Sequence, residues 1–259
     1  MSKSTDLDAV QKKAEEVAKK EFERHGVSRR IARFVPLAVR QCPTYGAAPD
    51  GERFTADTVD IVDVEEHQID PTPEEKTKKR TLCMPKTRLE DRPPEYPVPY
   101  YEELARSMAI DETKETAETL INNAGYSAAL GADSHYVALT KAIHAVESKR
   151  LQPDAIALHP DQAKAVSSAT TLVEPVRPQT EEPQPCFYVR GVPVYVSSGV
   201  PAGSMVVVDS TRSGFIAELQ ALEVESVRER TKGIISLVFR MRTDIRAGLN
   251  HAVAVVTGA

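Results

Sequence analysis

Apolar residues recur at helical spacing in three parts of this chain. In residues 5–25, Leu7, Val10, Ala14, Val17, Ala18 and Phe22 form one narrow stripe among positions rich in Lys and Glu. That spacing predicts an amphipathic helix. Thr5 or Asp6 caps it, Gly26 stops it, and Glu15–Lys19 and Glu16–Lys20 stand in the favourable i,i+4 order. A single stripe needs a partner surface: the helix's own domain, a neighbouring subunit, or a scaffold-like contact. Residues 100–124 predict a second helix, ended by Gly125, with Leu104, Met108 and Ile110 in one apolar set and Ala117, Leu120 and Ile121 in another. Asp111 can cap a second segment, so a kink is expected there. Residues 134–149 predict a third helix through Val137, Leu139, Ile143 and Val146, and residues 161–168 a short fourth one after Pro160.

Between and after these lie short β-favouring runs. Residues 30–40 mix Ile31, Phe34, Val35, Leu37 and Val39 with basic residues and read as an extended arm. Residues 58–64 and the stretch around Thr81-Leu82-Cys83-Met84 read as two strands of a long hairpin, with the polar, Pro-punctuated segment 69–78 between them. A two-stranded hairpin is not stable alone in water, so it must rest on something else. Segment 91–99 is a stiff, Pro-rich break. Downstream, strands are expected at 155–158, 187–189, 192–196, 205–208, 215–219, 222–227, 234–241 and 252–256, with a Pro-rich surface loop at 173–185 and a charged turn at 228–233. Helices and strands mix without regular βαβ alternation, so the class is α+β.

Composition narrows the function. The 259 residues are 41% hydrophobic and 27% charged, enough for a real core and unlike a disordered chain. A net charge of −5 argues against a dedicated nucleic-acid binder, though not against a protein that encloses nucleic acid. The N-terminus is polar and charged, unlike a secretory signal, and no apolar run is long enough to span a membrane.

Chemistry is sparse. Cys42, Cys83 and Cys186 are widely separated and read as buried or idle thiols in a reducing compartment. There is no P-loop and no GxGxxG. His25, His67, His135, His144, His159 and His251 fall in no metal-binding pattern, and Glu65-Glu66-His67 reads as a solvated hairpin face, because neighbours on a strand point to opposite sides. His159 with Ser198 or Ser204 is the one combination a small α+β serine hydrolase would use, but neither serine sits in a GxSxG elbow. Ser204 reads more simply as part of a tight turn before a strand. The run Glu74-Glu75-Lys76-Thr77-Lys78-Lys79-Arg80 reads as a solvated tip or a contact patch between subunits. No catalytic, cofactor-binding or metal-binding residue is assigned.

The order of pieces in residues 134–259 carries a resemblance. A helix leads to Pro153-Asp-Ala-Ile-Ala-Leu-His-Pro160 and a short helix; a loop then leads to Gly191-Val-Pro-Val-Tyr-Val196 and to Pro201-Ala-Gly-Ser-Met-Val-Val-Val-Asp209. Arg240, Arg242, Arg246-Ala-Gly-Leu249 and Ala252-Val-Ala-Val-Val256 close the series. This order resembles the tailed-phage major capsid proteins of the Hong Kong 97 type; the first half matches only in organisation. The resemblance implies an N-terminal helix and arm (1–40), an extended hairpin loop (41–95), a peripheral domain with a long spine helix (96–130), an axial domain (131–232) and C-terminal strands returning to the peripheral domain (233–259). It implies a non-enzymatic subunit that assembles with itself into pentamers and hexamers of an icosahedral virion shell, formed in the host cytoplasm around double-stranded DNA without sequence-specific binding. Portal and decoration proteins are implied partners. Segment 1–33 is shorter than fused scaffold domains of the family, which favours a separate scaffolding protein or none. One family member crosslinks its subunits through a Lys–Asn bond helped by a Glu; by register those Asn and Glu positions are Gly233 and Arg240 here, so a shell without covalent crosslinks is expected. An encapsulin-type nanocompartment shell shares the fold and is the alternative.

Overall fold

The computed structural model describes residues 7–36, 76–85, 98–131, 133–168, 174–175, 185–229 and 234–258. It opens with helix α1 (Leu7–His25), a single turn α2 (Ser28–Ile31) and strand β1 (Arg33–Pro36). Strand β2 (Lys76–Pro85) precedes the long helix α3 (Val98–Asn122) and strand β3 (Tyr126–Ala129). Helix α4 (His135–Glu147), β4 (Ala155–Leu158) and α5 (Pro160–Ser168) follow. After them come β5 (Glu174–Pro175), β6 (Phe187–Val189), β7 (Val192–Val196) and β8 (Ser204–Val208). The long β9 (Gly214–Glu229) and β10 (Ile234–Ala247), a 3-10 turn (Asn250–Ala252) and β11 (Val253–Thr257) complete it.

Two sheets organise these elements. The first has the order β1-β9-β10-β2, the second β3-β11-β8-β4-β7-β6-β5. The second explains why its strands read as unbroken apolar runs. Its central strands are buried on both faces, and side chains alternate between them. Ile156, Leu158, Met205, Val207, Ala254 and Val256 pack with Leu139, Ile143 and Val146 of α4. Their neighbours Ala155, Ala157, Val206, Val208, Val253 and Val255 pack with Val27, Ile31 and Leu120 on the other side. In the first sheet one apolar row is packed by helices: Leu222, Val224, Leu237, Phe239 and Met241 meet Ala14, Ala18 and Phe22 of α1 and Tyr101, Ala105 and Met108 of α3. Each fully buried large side chain contributes roughly 1.5–3 kcal/mol.

The α1 stripe therefore lies on its own chain, against α3 and the first sheet, rather than on a neighbour. Helix α3 runs without interruption through Asp111, so no second helix begins there: buried Met108, Ala109, Glu112, Thr113, Thr116 and Ala117 keep one face packed across that point. The expected arm is a turn of helix and an edge strand: β1 pairs in parallel with β9, Arg33 opposite Phe215. Strand β2 begins at Lys76, inside the stretch expected to be a charged tip, and it pairs with β10 along its whole length from Pro85↔Ile234 to Lys76↔Thr243. The first hairpin strand (58–64), the segment 69–75 and most of the Pro-rich loop lie outside the described residues. The strands expected at 215–219 and 222–227 are one strand, β9, and irregularities near Arg240 and Arg242 absorb its change of register against β10. Val137 is exposed instead of packed; Ala138 and Ala142 share the buried face of α4 in its place.

Pairing also cuts across the expected boundaries. Strand β9, grouped with the axial segment, is the hairpin partner of β10 in the first sheet. Strand β11, grouped with the returning peripheral strands, lies inside the second sheet between β3 and β8.

Candidate assembly surface and buried clamp

The N-terminal elements are fastened to the rest by charged and polar groups. Glu112 lies midway along α3, with its side chain wholly buried. Its Oε1 accepts a hydrogen bond from Ser28 Oγ at 2.6 Å and one from Arg29 Nε at 3.4 Å. The same guanidinium donates to Glu218 Oε1 of β9 at 3.1 Å. It also stacks over two rings, Phe22 of α1 at 4.9 Å and Phe34 of β1 at 4.1 Å. A planar, permanently charged group with five donors suits this bridging position as Lys could not. Around it, the Ser28 N–H donates to Thr113 Oγ1, Thr113 Oγ1 donates to the Ala109 carbonyl, and Ser213 Oγ donates to the Ile31 carbonyl. Among the described residues Glu112 Oε2 is buried without a partner, so Oε1 alone takes both donors of the carboxylate.

Glycines mark a second set of close approaches, around the passages of the chain between the two sheets and beside α3. A methyl group on Gly199 would stand 2.6 Å from the Ile110 carbonyl oxygen, on Gly125 2.7 Å from that of Asn250, on Gly214 2.6 Å from that of Arg246, and on Gly248 2.3 Å from that of Arg212. At Gly125 and Gly248 the neighbouring atoms are backbone, and at Gly199 and Gly214 the side chains of Thr113 and Leu120 also stand close.

On the open face of the first sheet, Glu223, Glu225 and Arg240 are exposed, and Arg240 pairs with Glu225 Oε2 at 3.1 Å. The register places Arg240 between Glu223 of β9 and Lys79 of β2. Among the described residues, β1 and β2 are the edges of the first sheet and β3 and β5 those of the second. Open edges present unpaired backbone donors and acceptors and are the natural places for another chain to join.

The residues considered for chemistry do not assemble into a site. His159 Nδ1 accepts the Asp161 N–H at 3.3 Å, a local contact at the start of α5. Ser197 Oγ accepts the Gly199 N–H, and Ser204 is buried at the start of β8, after Gly203 with φ +80°. Among the described residues no hydrogen bond joins His159 to Ser198 or Ser204, and no group of His, Cys, Asp and Glu side chains could hold a metal ion. His144 is held between Glu147 Oε2, 2.8 Å from Nδ1, and Arg190 at the β6–β7 turn. Arg190 (φ +52°) and Gly191 (φ +80°) both adopt the left-handed conformation that a two-residue hairpin turn requires. His25 stands 3.3 Å from Glu21, yet its pKa is lowered, first by burial and then by nearby Arg106. Cys186 is exposed rather than buried, and partial desolvation of its thiol pushes the pKa up, as befits an idle group. Cys42, Glu65-Glu66-His67 and Gly233 lie outside the described residues. No described helix is long and apolar enough to cross a membrane.

Sequence reasoning missed the clamp. Arg29 looked like one of several basic residues in an arm, and Glu112 like one of several acidic residues on a helix. The available signal was that Glu112 sits four residues from Met108 and Thr116 on what proves to be the packed face.

No protein-family model and no curated protein matches the sequence. Solved structures do. The virus-like particle protein from Pyrococcus furiosus superposes with a TM-score of 0.64 at 9% identity, covering 95% of this chain and 98% of that one. A protein of Mycobacterium phage Ogopogo gives 0.61 at 13% identity over 91% of this chain and 92% of its own. The holo-SrpI encapsulin complex from Synechococcus elongatus PCC 7942 gives 0.51 at 16% identity over 71% and 73%. Together with the spine-like α3, the mixed α+β sheets and the long β9–β10 hairpin, these likenesses define the class: a fold of shell-forming proteins. The chain has the Hong Kong 97-type capsid fold.

Proposed function

We propose that this chain is the repeating subunit of a closed protein shell, and that the shell is the icosahedral capsid of a tailed phage enclosing double-stranded DNA. The observation that carries the reading is the near full-length likeness to a virus-like particle protein, which spans the first sheet, α3 and the second sheet together. The open strand edges and the charged face of β9 and β10 support it as surfaces for self-association into pentamers and hexamers. A contact repeated around a symmetric shell stabilises it without a strong pairwise affinity. The role is structural rather than catalytic. The mildly acidic chain encloses DNA without gripping its phosphates, and a separate scaffolding protein, a portal and decoration proteins are its further partners during assembly in the host cytoplasm. Arg240 is committed to Glu225 where a crosslinking shell would need a carboxylate, which supports noncovalent subunit contacts.

Negative-stain microscopy of the expressed chain tests the shell. Icosahedral particles or capsomers are expected, and a clean monomer at high concentration would overturn the reading. The encapsulin likeness keeps a cargo-holding compartment as the second reading. Particles purified from their native source distinguish the two by their contents, DNA or a packaged protein.

A further inference from the structure

We propose that residues 7–36 form one strap that docks and undocks as a unit, and that Arg29 is its key and Glu112 its lock. The strap has three elements, α1, α2 and β1, and all three converge on one guanidinium. Phe22 comes from α1, Ser28 and Arg29 from α2, and Phe34 from β1. The body supplies only two charged anchors at this point, Glu112 of α3 and Glu218 of β9. Arg29 therefore ties the strap's ends to each other and ties the strap to both body elements at once.

What lies beneath makes the docked position matter. Undocking α1 would uncover the apolar row Leu222, Val224, Leu237, Phe239 and Met241. It would also strip Glu112 of both its donors, leaving a carboxylate with no partner on either oxygen. Removing Arg29 while the strap stays docked leaves Glu112 buried with Ser28 as its one donor among the described residues, and a buried carboxylate short of a partner weakens the docked state. Ser28 and Arg29 both donate to the same oxygen of Glu112, a hydroxyl at 2.6 Å and a guanidinium N–H at 3.4 Å. These contacts lie within one chain, so the inference stands or falls apart from the shell reading.

Native-state hydrogen exchange on the full-length chain tests it, because contiguous elements that open together reveal themselves by sharing one opening equilibrium. In Arg29→Ala the amides of α1 and β1 are expected to lose protection together, by roughly ten- to a hundredfold, the range for hydrogen bonds to charged groups. Amides of β4 and β8 should be unaffected. Arg29→Lys should show the same pattern more weakly, and it is the variant to read if Arg29→Ala does not fold. Combining Arg29→Ala with Glu112→Gln should open the strap by less than the sum of the two single effects, because both remove the Arg29–Glu112 contact. Protection lost evenly across both sheets, α1 opening without β1, or effects of the two substitutions that simply add would each overturn the proposal.

Discussion

Gly248→Ala probes the close backbone approach where the chain passes between the two sheets. A methyl group at this position meets the Arg212 carbonyl oxygen at 2.3 Å, where ordinary contact begins at 3.4 Å, so the chains must part by about 1.1 Å. Two more backbone atoms, Gly214 N and Ser213 C, stand at 3.1 Å, so no direction of relief is free. The obstacle is backbone, and that backbone is itself tied: the Gly248 N–H donates to the Ser213 carbonyl and the Leu249 N–H to the Arg212 carbonyl, both at 2.8 Å. Moving Arg212 away loosens those bonds, and Asn123 Nδ2, which donates to the Gly248 carbonyl at 3.1 Å, is displaced with them. Overpacking of this kind costs typically 1–3 kcal/mol, and partial loosening of the three hydrogen bonds adds about 1 kcal/mol between them, so a loss of about 2–4 kcal/mol is expected. Backbone conformation offers a control. Gly191→Ala has open space around its methyl group but φ +80°, and should lose only about 1–2 kcal/mol through strain. Urea unfolding of both variants measures the difference, with unchanged m-values confirming that stability alone has moved. A Gly248→Ala protein within about 0.5 kcal/mol of the parent would refute the view that Gly248 is packed backbone to backbone.

Other consequences are equally open to measurement. Tyr101 is buried with no partner for its hydroxyl, so Tyr101→Phe should leave stability unchanged or raise it by up to about 2 kcal/mol in thermal or urea unfolding. Burial pushes the Tyr101 pKa up to about 12, so stability should fall as pH rises above 10, where the unfolded chain ionises first, and Tyr101→Phe should flatten that slope. His25 works in the opposite sense: with its folded pKa lowered, its contribution is present above about pH 6.5 and is lost as pH falls below it, so unfolding of His25→Gln should be less acid-sensitive than that of the parent. Ser134 caps α4 by accepting the Val137 N–H, and Ser134→Ala should lose about 1 kcal/mol in chemical unfolding while Ser134→Asp should lose little.

The elements that sequence revealed best are those whose neighbours are local. The α1 stripe and the apolar run of β4 follow from spacing and side-chain chemistry within a few residues, and they appear where expected. What stayed hidden depends on distant partners. Nothing near Lys76 indicates that it lies in a strand, because the stabilising register comes from Thr243 of β10. Nothing near Arg33 indicates an edge strand, because its partner is Phe215. An Asp in a run of helix formers reads locally as a cap, yet the packed face beneath Asp111 overrides that preference. The chemistry of the clamp was illegible for the same reason: Ser28, Arg29, Glu112 and Glu218 are ordinary surface residue types until the fold brings them together. The resemblance in the C-terminal half was readable because each turn carries its own Gly or Pro signature, and their order survives where residue identity does not.

The strand orders have a further meaning for a chain emerging from a ribosome. Among the described residues strand β3 pairs only with β11, although Tyr126 is made long before its partner Ala254. Strand β1 waits in the same way for Phe215, and β2 for β10. Neither sheet can therefore close while the chain is still short, and pairings this distant in sequence form late and slowly. The early segments leave the ribosome as an amphipathic helix and charged or Pro-punctuated stretches, while the most apolar strands, β4, β8 and β11, are made later and soon find each other. A chain built in this order completes the edges of its sheets only after synthesis is nearly done.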